Sequence, residues 1–350
     1  MITVFTPSFA DEANTNAQNL TVKEVVSRLS PERFRVIMLG DGPPDSRIRD
    51  RANTTILPTT RRGNTARWLT TALLSKVDVY FFPREGPLDS LFMHLRRRLG
   101  LPIALVTYIV MALDEIPVRS RFERAIREAD FVIGNSQYVS ETIKGRFGVD
   151  AETIYDGVNR ELFHPAKEIR ERPGKLIVLY AGSFQARKRV DLVIQEAARW
   201  PGVEFRLAGR GEEEENYRSQ IGRLKCGNVI FLGHLTQKEL AQEMQKADVF
   251  LFPSVLEGHP QVLGQATSSG LPVVAMEKYR PDFVVNGETG YLVKSENELS
   301  EKLRQLLSDP ELRIKMSAAA VRHATQFDWD KVTQDWERVF AEATSQRKKR

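Results

Sequence analysis

The sequence predicts an α/β protein built from two doubly wound parallel-sheet domains. Three observations predict it. Short apolar runs alternate with helix-period segments along most of the chain. The runs are continuously apolar, as in strands covered by helices on both faces. The alternation stops once, over residues 157–175, and then restarts. At about 150 residues per domain, 350 residues leave room for two cores.

In the first half the strand-like runs are ITVFT (2–6), FRVIML (34–39), VDVYFF (77–82), IALVTY (103–108), FVIG (131–134) and TIYD (153–156). Helical patterns lie between them. In RFERAIREAD, Phe122, Ala125, Ile126 and Ala129 fall at i, i+3, i+4 and i+7. Residues 157–175 are polar, hold two prolines and lack an apolar period, which reads as an interdomain linker. The runs KLIVLYAG, VEFRLAG, VIFLG, DVFLFPS, PVVAM and GYLV then resume the alternation. Thr236 and Glu239 form a capping box ahead of the helix after VIFLG. The last 40 residues are helical in pattern and end in QRKKR, which reads as a frayed basic tail. Two such units enclose a cleft, and ligands are expected at the loops after the strands.

The composition excludes several classes. Hydrophobic residues are 41% and charged residues 28%, as in ordinary soluble domains and unlike disordered chains. The single cysteine, Cys226, allows no intrachain disulfide, and MITVFTPSF reads as a strand rather than a signal peptide. A cytoplasmic setting is expected. The longest apolar stretch, Ile103–Leu113, has eleven residues; a membrane span needs about 20. The net charge is +5, and Arg47–Gly100 alone holds eleven Lys or Arg against four Asp or Glu. Such a stretch is either a solvated face or a surface for peripheral contact with an anionic membrane. Nucleic acid is not an expected partner, since no helix-turn-helix, zinc or RNA-recognition pattern accompanies the charge.

Three stretches carry candidate chemistry. In PSVLEGHPQVLGQATSSGLPVVA, Pro260 suits a helix start and Gly270 its end. The amides of Gln261 and Val262 then face the cleft beside Glu257, an arrangement suited to a phosphate. The bland alternative is an ordinary strand–loop–helix turn. In YAGSFQARKRVDLVIQ, Arg187, Lys188 and Arg189 crowd a helix start, where cations are disfavoured unless an anion is bound. A solvated basic turn is the alternative there. LAGRGEEEENY offers a Gly-x-Gly that permits close approach of a ligand but lacks the third glycine of the dinucleotide fingerprint. Glu212–Glu215 reads as the first turn of a helix. His234 and His259 lie on loops at the inferred cleft and are candidate ligand contacts. No His or Cys spacing suits a metal, and no P-loop or nucleophile elbow is present.

The order and spacing of YAGSFQARKRVDLVI, LAGRGEE, VIFLGHLTQKELAQEMQKADVFLFPS, EGHPQVLGQATSSGLPVVA and YRPDFVVNGETGYLV resemble retaining glycosyltransferases of family 4, which have the GT-B fold. ADFVIGNSQYVSETIKGRFG and IYDGVNRELFHP extend the resemblance to roughly Phe122–Trp336. It implies a nucleotide-diphosphate sugar donor and a glycan or lipid-linked acceptor, in surface polysaccharide or glycolipid assembly. Glu257 and Lys188 would be catalytic. Glu257 would contact the sugar hydroxyls, and Lys188, with Arg187 nearby, would neutralise the leaving diphosphate. Gly182, Ser183, Gly258, His259, Pro260, Gln261 and Val262 would line the sugar–diphosphate end, with Arg210, His234 and Leu235 near the base. No cofactor or metal is required. The resemblance also implies a final helix crossing back, with domains of 1–165 plus 330–350, and 166–329. Four positions depart from the family. Gln265 replaces a ribose-binding glutamate, and Ser183 replaces an arginine. SFADEANTNAQNL lacks a glycine pair, and VTYIVMALDE lacks a histidine. A GT-B subunit without catalysis and a nucleotide-sugar 2-epimerase remain alternatives.

Overall fold

The computed structural model describes residues 1–12, 17–59, 70, 76–82, 87–110, 120–166 and 174–348. The chain divides into two compact units, Met1–Asp156 with Trp329–Arg350, and Gly157–Asp328.

The first unit contains β1 (Ile2–Phe9), α1 (Ala17–Arg28), β2 (Phe34–Leu39), α2 (Ser46–Arg49), β3 (Thr54–Leu57) and β4 (Val79–Phe82). It continues with α3 (Pro87–Leu99), β5 (Ala104–Ile109), α4 (Arg121–Glu128), β6 (Phe131–Gly134), α5 (Gln137–Phe147) and β7 (Glu152–Thr153). The seven strands are ordered β3-β2-β1-β4-β5-β6-β7, and all pairs are parallel. β3 escapes an apolar-run criterion because it is an edge strand, TTIL, in which only Leu57 is buried. TIYD leaves the sheet early, contributing only Thr153 to β7. Its Asp156 is held inside by Thr21 Oγ1 at 3.1 Å, Tyr108 OH at 2.7 Å and Asn135 Nδ2 at 2.8 Å.

The last helix, α12 (Trp329–Lys348), covers this sheet. Trp336, Val339, Phe340 and Ala343 recur at i, i+3, i+4 and i+7 and are buried with Val4, Phe34, Phe81 and Tyr108. Trp336 meets Tyr108 edge-on, with ring centroids 4.9 Å apart. Burying each large apolar side chain contributes about 1.5–3 kcal/mol, enough to fix the helix there. The basic tail is helical through Lys348 rather than frayed, with Arg347 3.7 Å from Asp130.

The second unit contains β8 (Ile177–Ala181), α6 (Val190–Arg199), β9 (Glu204–Ala208), α7 (Glu214–Leu224), β10 (Val229–Gly233), α8 (Gln237–Lys246) and β11 (Val249–Phe252). It continues with α9 (Gln261–Ser268), β12 (Val273–Met276), β13 (Gly290–Val293), α10 (Glu296–Ser308) and α11 (Pro310–Ala324). Its six parallel strands are ordered β10-β9-β8-β11-β12-β13. The order reverses between β8 and β11, so the crevice beyond their carboxyl ends is where a doubly wound sheet binds ligands.

The segment read as a linker is anchored at its start. Val158 and Phe163 are buried, and the Val158 N–H bonds Phe327 O at 2.7 Å. Two isolated apolar anchors leave no period for a sequence to display. Residues 167–173 of that segment lie outside the described residues.

Candidate active site

The loops after β8 and β11 meet at the switch point. A 3-10 turn, Ala186–Lys188, follows β8, and residues 253–260 follow β11. They are stitched together by Val255 N–H to Arg187 O at 3.0 Å. Between them Glu257 is only 8% exposed and Lys188 9%. One carboxylate oxygen of Glu257 accepts from both Lys188 Nζ and Ser254 Oγ. Arg187 Nη1 stands 3.5 Å from the same oxygen and donates to Leu256 O at 2.7 Å. The ammonium of Lys188 also lies 5.3 Å from the Phe252 ring centroid, within cation–π range.

The cation cluster thus has an internal counterpart. Lys188 and Arg187 face Glu257, whereas Arg189 turns away to Asp191 at 3.1 Å and Glu296 at 2.7 Å. A bound anion is not needed to account for Arg189. Carboxylates of the chain already answer them, and only the Arg187–Lys188 pair belongs to the switch point.

The next loops pack side by side. Gly182 N–H bonds Ala208 O at 2.9 Å, Phe184 N–H bonds Arg210 O at 2.9 Å, and Gly209 N–H bonds Gly233 O at 2.8 Å. A Cβ on Gly209 would lie 1.9 Å from Gly182 O, and one on Gly211 would lie 2.4 Å from Phe184 O. The Gly-x-Gly is therefore required by the neighbouring loop. Arg210 is exposed, with its guanidinium about Gly233, next to exposed His234 and half-buried Leu235.

Helix α9 starts at Gln261 with Pro260 as its N-cap. It ends in a Schellman motif, with Leu271 N–H on Ala266 O and Gly270 N–H on Thr267 O, at 2.9 and 3.0 Å. Gly270 has φ +78°, as that motif requires. This fixes α9 immediately after the Glu257 loop.

Residues 163–323 match the family model described as glycosyl transferases group 1. The second unit is a glycosyl transferases group 1 domain. A D-inositol 3-phosphate glycosyltransferase of Streptomyces bingchenggensis is 31% identical over 63% of this chain; the chain spans about half of that relative's length, 54%. An uncharacterized glycosyltransferase of Methanocaldococcus jannaschii is 26% identical, over 75% of this chain and 74% of its own length. Two solved structures share the fold. Sucrose-phosphate synthase from Thermosynechococcus elongatus superposes with a TM-score of 0.80 at 19% identity, covering 99% of this chain and 100% of its own. Anabaena HepE in complex with UDP-glucose gives 0.78 at 19% identity, covering 99% and 100%. The fold is GT-B.

Within the group 1 domain, two candidate residues are placed otherwise than the sequence implies. His259 is 4% exposed and stacks on Phe283, with centroids 3.9 Å apart. Burial lowers its pKa to about 3, so it packs as a neutral ring. The ring thus lies inside the domain rather than exposed on the loop. Gln265 donates from Nε2 to Gln237 Oε1 at 3.0 Å, so its amide is engaged with the first residue of α8. Ser183 is exposed and Gly258 buried, while Pro260, Gln261 and Val262 are half-buried beside them in sequence. Ser183 also accepts a 3.1 Å bond from Tyr180 OH through its carbonyl.

The sequence reading missed Ser254, Tyr180 and Gln237. A serine directly after a buried strand at a switch point is the only signal for Ser254. For the other two, partners distant in sequence decide the role. Among the described residues no group of three His, Cys, Asp or Glu could hold a metal. Likewise no described helix is long and apolar enough to cross a membrane.

The basic stretch resolves unevenly. Arg47 pairs with Glu24 and Asp45, Arg51 bonds Leu29 O and Phe34 O, and buried Arg96 pairs with Asp130. Arg97 and Arg98 are exposed. Residues 60–69, 71–75 and 83–86 lie outside the described residues, as do 13–16 and 111–119 of the two family departures in the first unit.

Proposed function

We propose that this chain transfers a sugar from a nucleotide-diphosphate donor to a glycan or lipid-linked acceptor, with retention at the anomeric carbon. One observation carries the reading. At the switch point of a group 1 domain, a buried carboxylate is held by Lys188, Arg187 and Ser254. Breaking a glycosyl–phosphate bond leaves negative charge on the diphosphate. Cations fixed beforehand stabilise that charge without reorganising. Glu257, held between two cations, suits hydroxyls of the sugar. The α9 start adds backbone donors beside it. That HepE binds UDP-glucose supports a nucleotide-sugar donor here.

Thermal shift against a panel of nucleotide sugars tests the first half. A ligand at 100 times its dissociation constant stabilises by about 2.7 kcal/mol. NMR of the product anomer tests retention. Binding without transfer or donor hydrolysis would favour a subunit that has kept the site and lost the chemistry.

Gln265→Glu is expected to tighten donor binding by up to about tenfold, or 1.4 kcal/mol. Hydrogen bonds to charged groups contribute about 1.5–3 kcal/mol against about 1 for neutral ones. The Gln237 amide can rotate to donate to the new carboxylate, so the charge is not stranded. Weaker binding in that variant, read by calorimetry, would mean that the site is tuned around the amide.

Peripheral contact with anionic membrane is a further part of the proposal. It rests on exposed Arg97 and Arg98 of α3, since Arg96 is committed to Asp130. Changing both to Glu should abolish co-sedimentation with phosphatidylserine vesicles at low salt. Basic residues near such a surface contribute about 1 kcal/mol each. Adsorption unchanged by the substitutions, or absent in wild type, would remove this contact.

A further inference from the structure

A buried tyrosine follows β12, the strand next to the switch point. Tyr279 ends a 3-10 turn, Glu277–Tyr279, directly after β12. β12 pairs with β11, Phe252 opposite Ala275, so this turn adjoins the loop that carries Ser254 and Glu257. The turn is held by Arg280 N–H on Glu277 O at 2.8 Å, with Arg280 itself at φ +40°. That left-handed exit disfavours a β-carbon and fixes where the tyrosine ring enters.

The ring is 2% exposed, yet its hydroxyl has no hydrogen-bond partner among the described residues. Buried tyrosine hydroxyls are normally paired, because a stranded one loses its bonds to water and gains none. Tyr180, the neighbouring buried phenol, follows that rule by donating to Ser183 O. Tyr279 breaks it in the turn after the neighbouring strand. Burial raises its pKa well above the ordinary value, and the charge of Glu257 and the Tyr180 phenol raise it further. The group therefore stays protonated, a neutral donor within electrostatic reach of Glu257. A phenylalanine would fill the same space; the oxygen is the part that packing does not explain.

We propose that the Tyr279 hydroxyl donates a hydrogen bond to an oxygen on the sugar–diphosphate half of the donor, in the pocket of Glu257. The inference rests on the reading of this chain as a nucleotide-sugar enzyme and adds a donor-positioning residue to it. Tyr279 lies on the β12 side of the switch point, whereas Arg210 and His234 lie on the β9–β10 side. Its contribution should fall on the sugar and phosphates and spare the nucleoside.

The test is Tyr279→Phe, measured first without ligand. Its melting temperature should equal or exceed that of wild type, since only an unpartnered oxygen is removed. Calorimetry then uses whichever of UDP-glucose, UDP-N-acetylglucosamine, GDP-mannose or ADP-glucose stabilises wild type, with the matching nucleoside diphosphate and nucleoside. Affinity for the nucleotide sugar should fall about tenfold, with the nucleoside unaffected. A loss shared by the diphosphate places the accepting oxygen on a phosphate; a loss confined to the nucleotide sugar places it on the sugar. Equal affinity for every ligand overturns the proposal, as does a lowered melting temperature without ligand. Wild type that binds none of the panel overturns the nucleotide-sugar reading itself, and the role of Tyr279 falls with it.

Discussion

Glu257→Gln is expected to cut turnover by about a hundred- to a thousandfold while the protein melts near the wild-type temperature. Removing one preorganised partner of a developing charge costs about 2.7–4 kcal/mol of transition-state stabilisation. Glutamine keeps the shape and one acceptor oxygen for Ser254 and Lys188, so the loop should hold. Glu257→Ala should lose the same activity and melt lower as well. A carboxylate on a loop looks dispensable for folding in the sequence, but in the structure it is 8% exposed and paired with a lysine 9% exposed. Removing one partner of a buried ion pair typically costs about 3–5 kcal/mol when the other charge is left without an acceptor, as in the Ala variant, whereas the glutamine oxygen still accepts from Lys188. Turnover measured alongside calorimetric melting separates the two effects. A folded Gln variant that retains most of its rate would remove Glu257 from the chemistry.

The contrast between those variants reflects how the site is written in the sequence. Strands such as FRVIML and FVIG were legible to the residue, because a buried parallel strand advertises itself as a continuous apolar run. VIFLG and GYLV were legible as well, since these edge strands are just as apolar in sequence. The capping box at Thr236–Glu239 and the Gly270 helix end were legible because each is local chemistry. β3 was not, since its half-buried TTIL opens on two threonines and shows no apolar run. The site was half legible. Loop position put Glu257 and Lys188 at the carboxyl ends of strands 69 residues apart. It could not say that they pair. The glycines of LAGRG gave no sign that they make room for the 182–184 loop. The loop position of His259 gave no sign that its ring stacks on Phe283. Burial and pairing across the chain are set by tertiary packing, and composition around a residue does not record them.

Lys188→Met is expected to weaken nucleoside diphosphate binding by about ten- to a hundredfold and to leave the bare nucleoside unchanged. A hydrogen bond from a charged group contributes about 1.5–3 kcal/mol, and each 1.4 kcal/mol is a factor of ten. Methionine keeps most of the side chain's apolar length while the ammonium near Phe252 is lost. An ammonium carries three donors, and its bond to Glu257 is compatible with a phosphate beside it. That bond holds the cation in place before the ligand arrives. Arg187, 3.5 Å from the same carboxylate oxygen, keeps Glu257 from being stranded in the variant. Lys188→Arg should restore little, because a planar guanidinium cannot reproduce the point charge in a turn this tightly closed. Equal losses for the nucleoside and its diphosphate would show that Lys188 acts only through the position of Glu257. A double-mutant cycle with Glu257→Gln then decides between direct and indirect action. Independent losses mean that each residue meets its own part of the ligand, whereas full coupling means that lysine and carboxylate work as one unit.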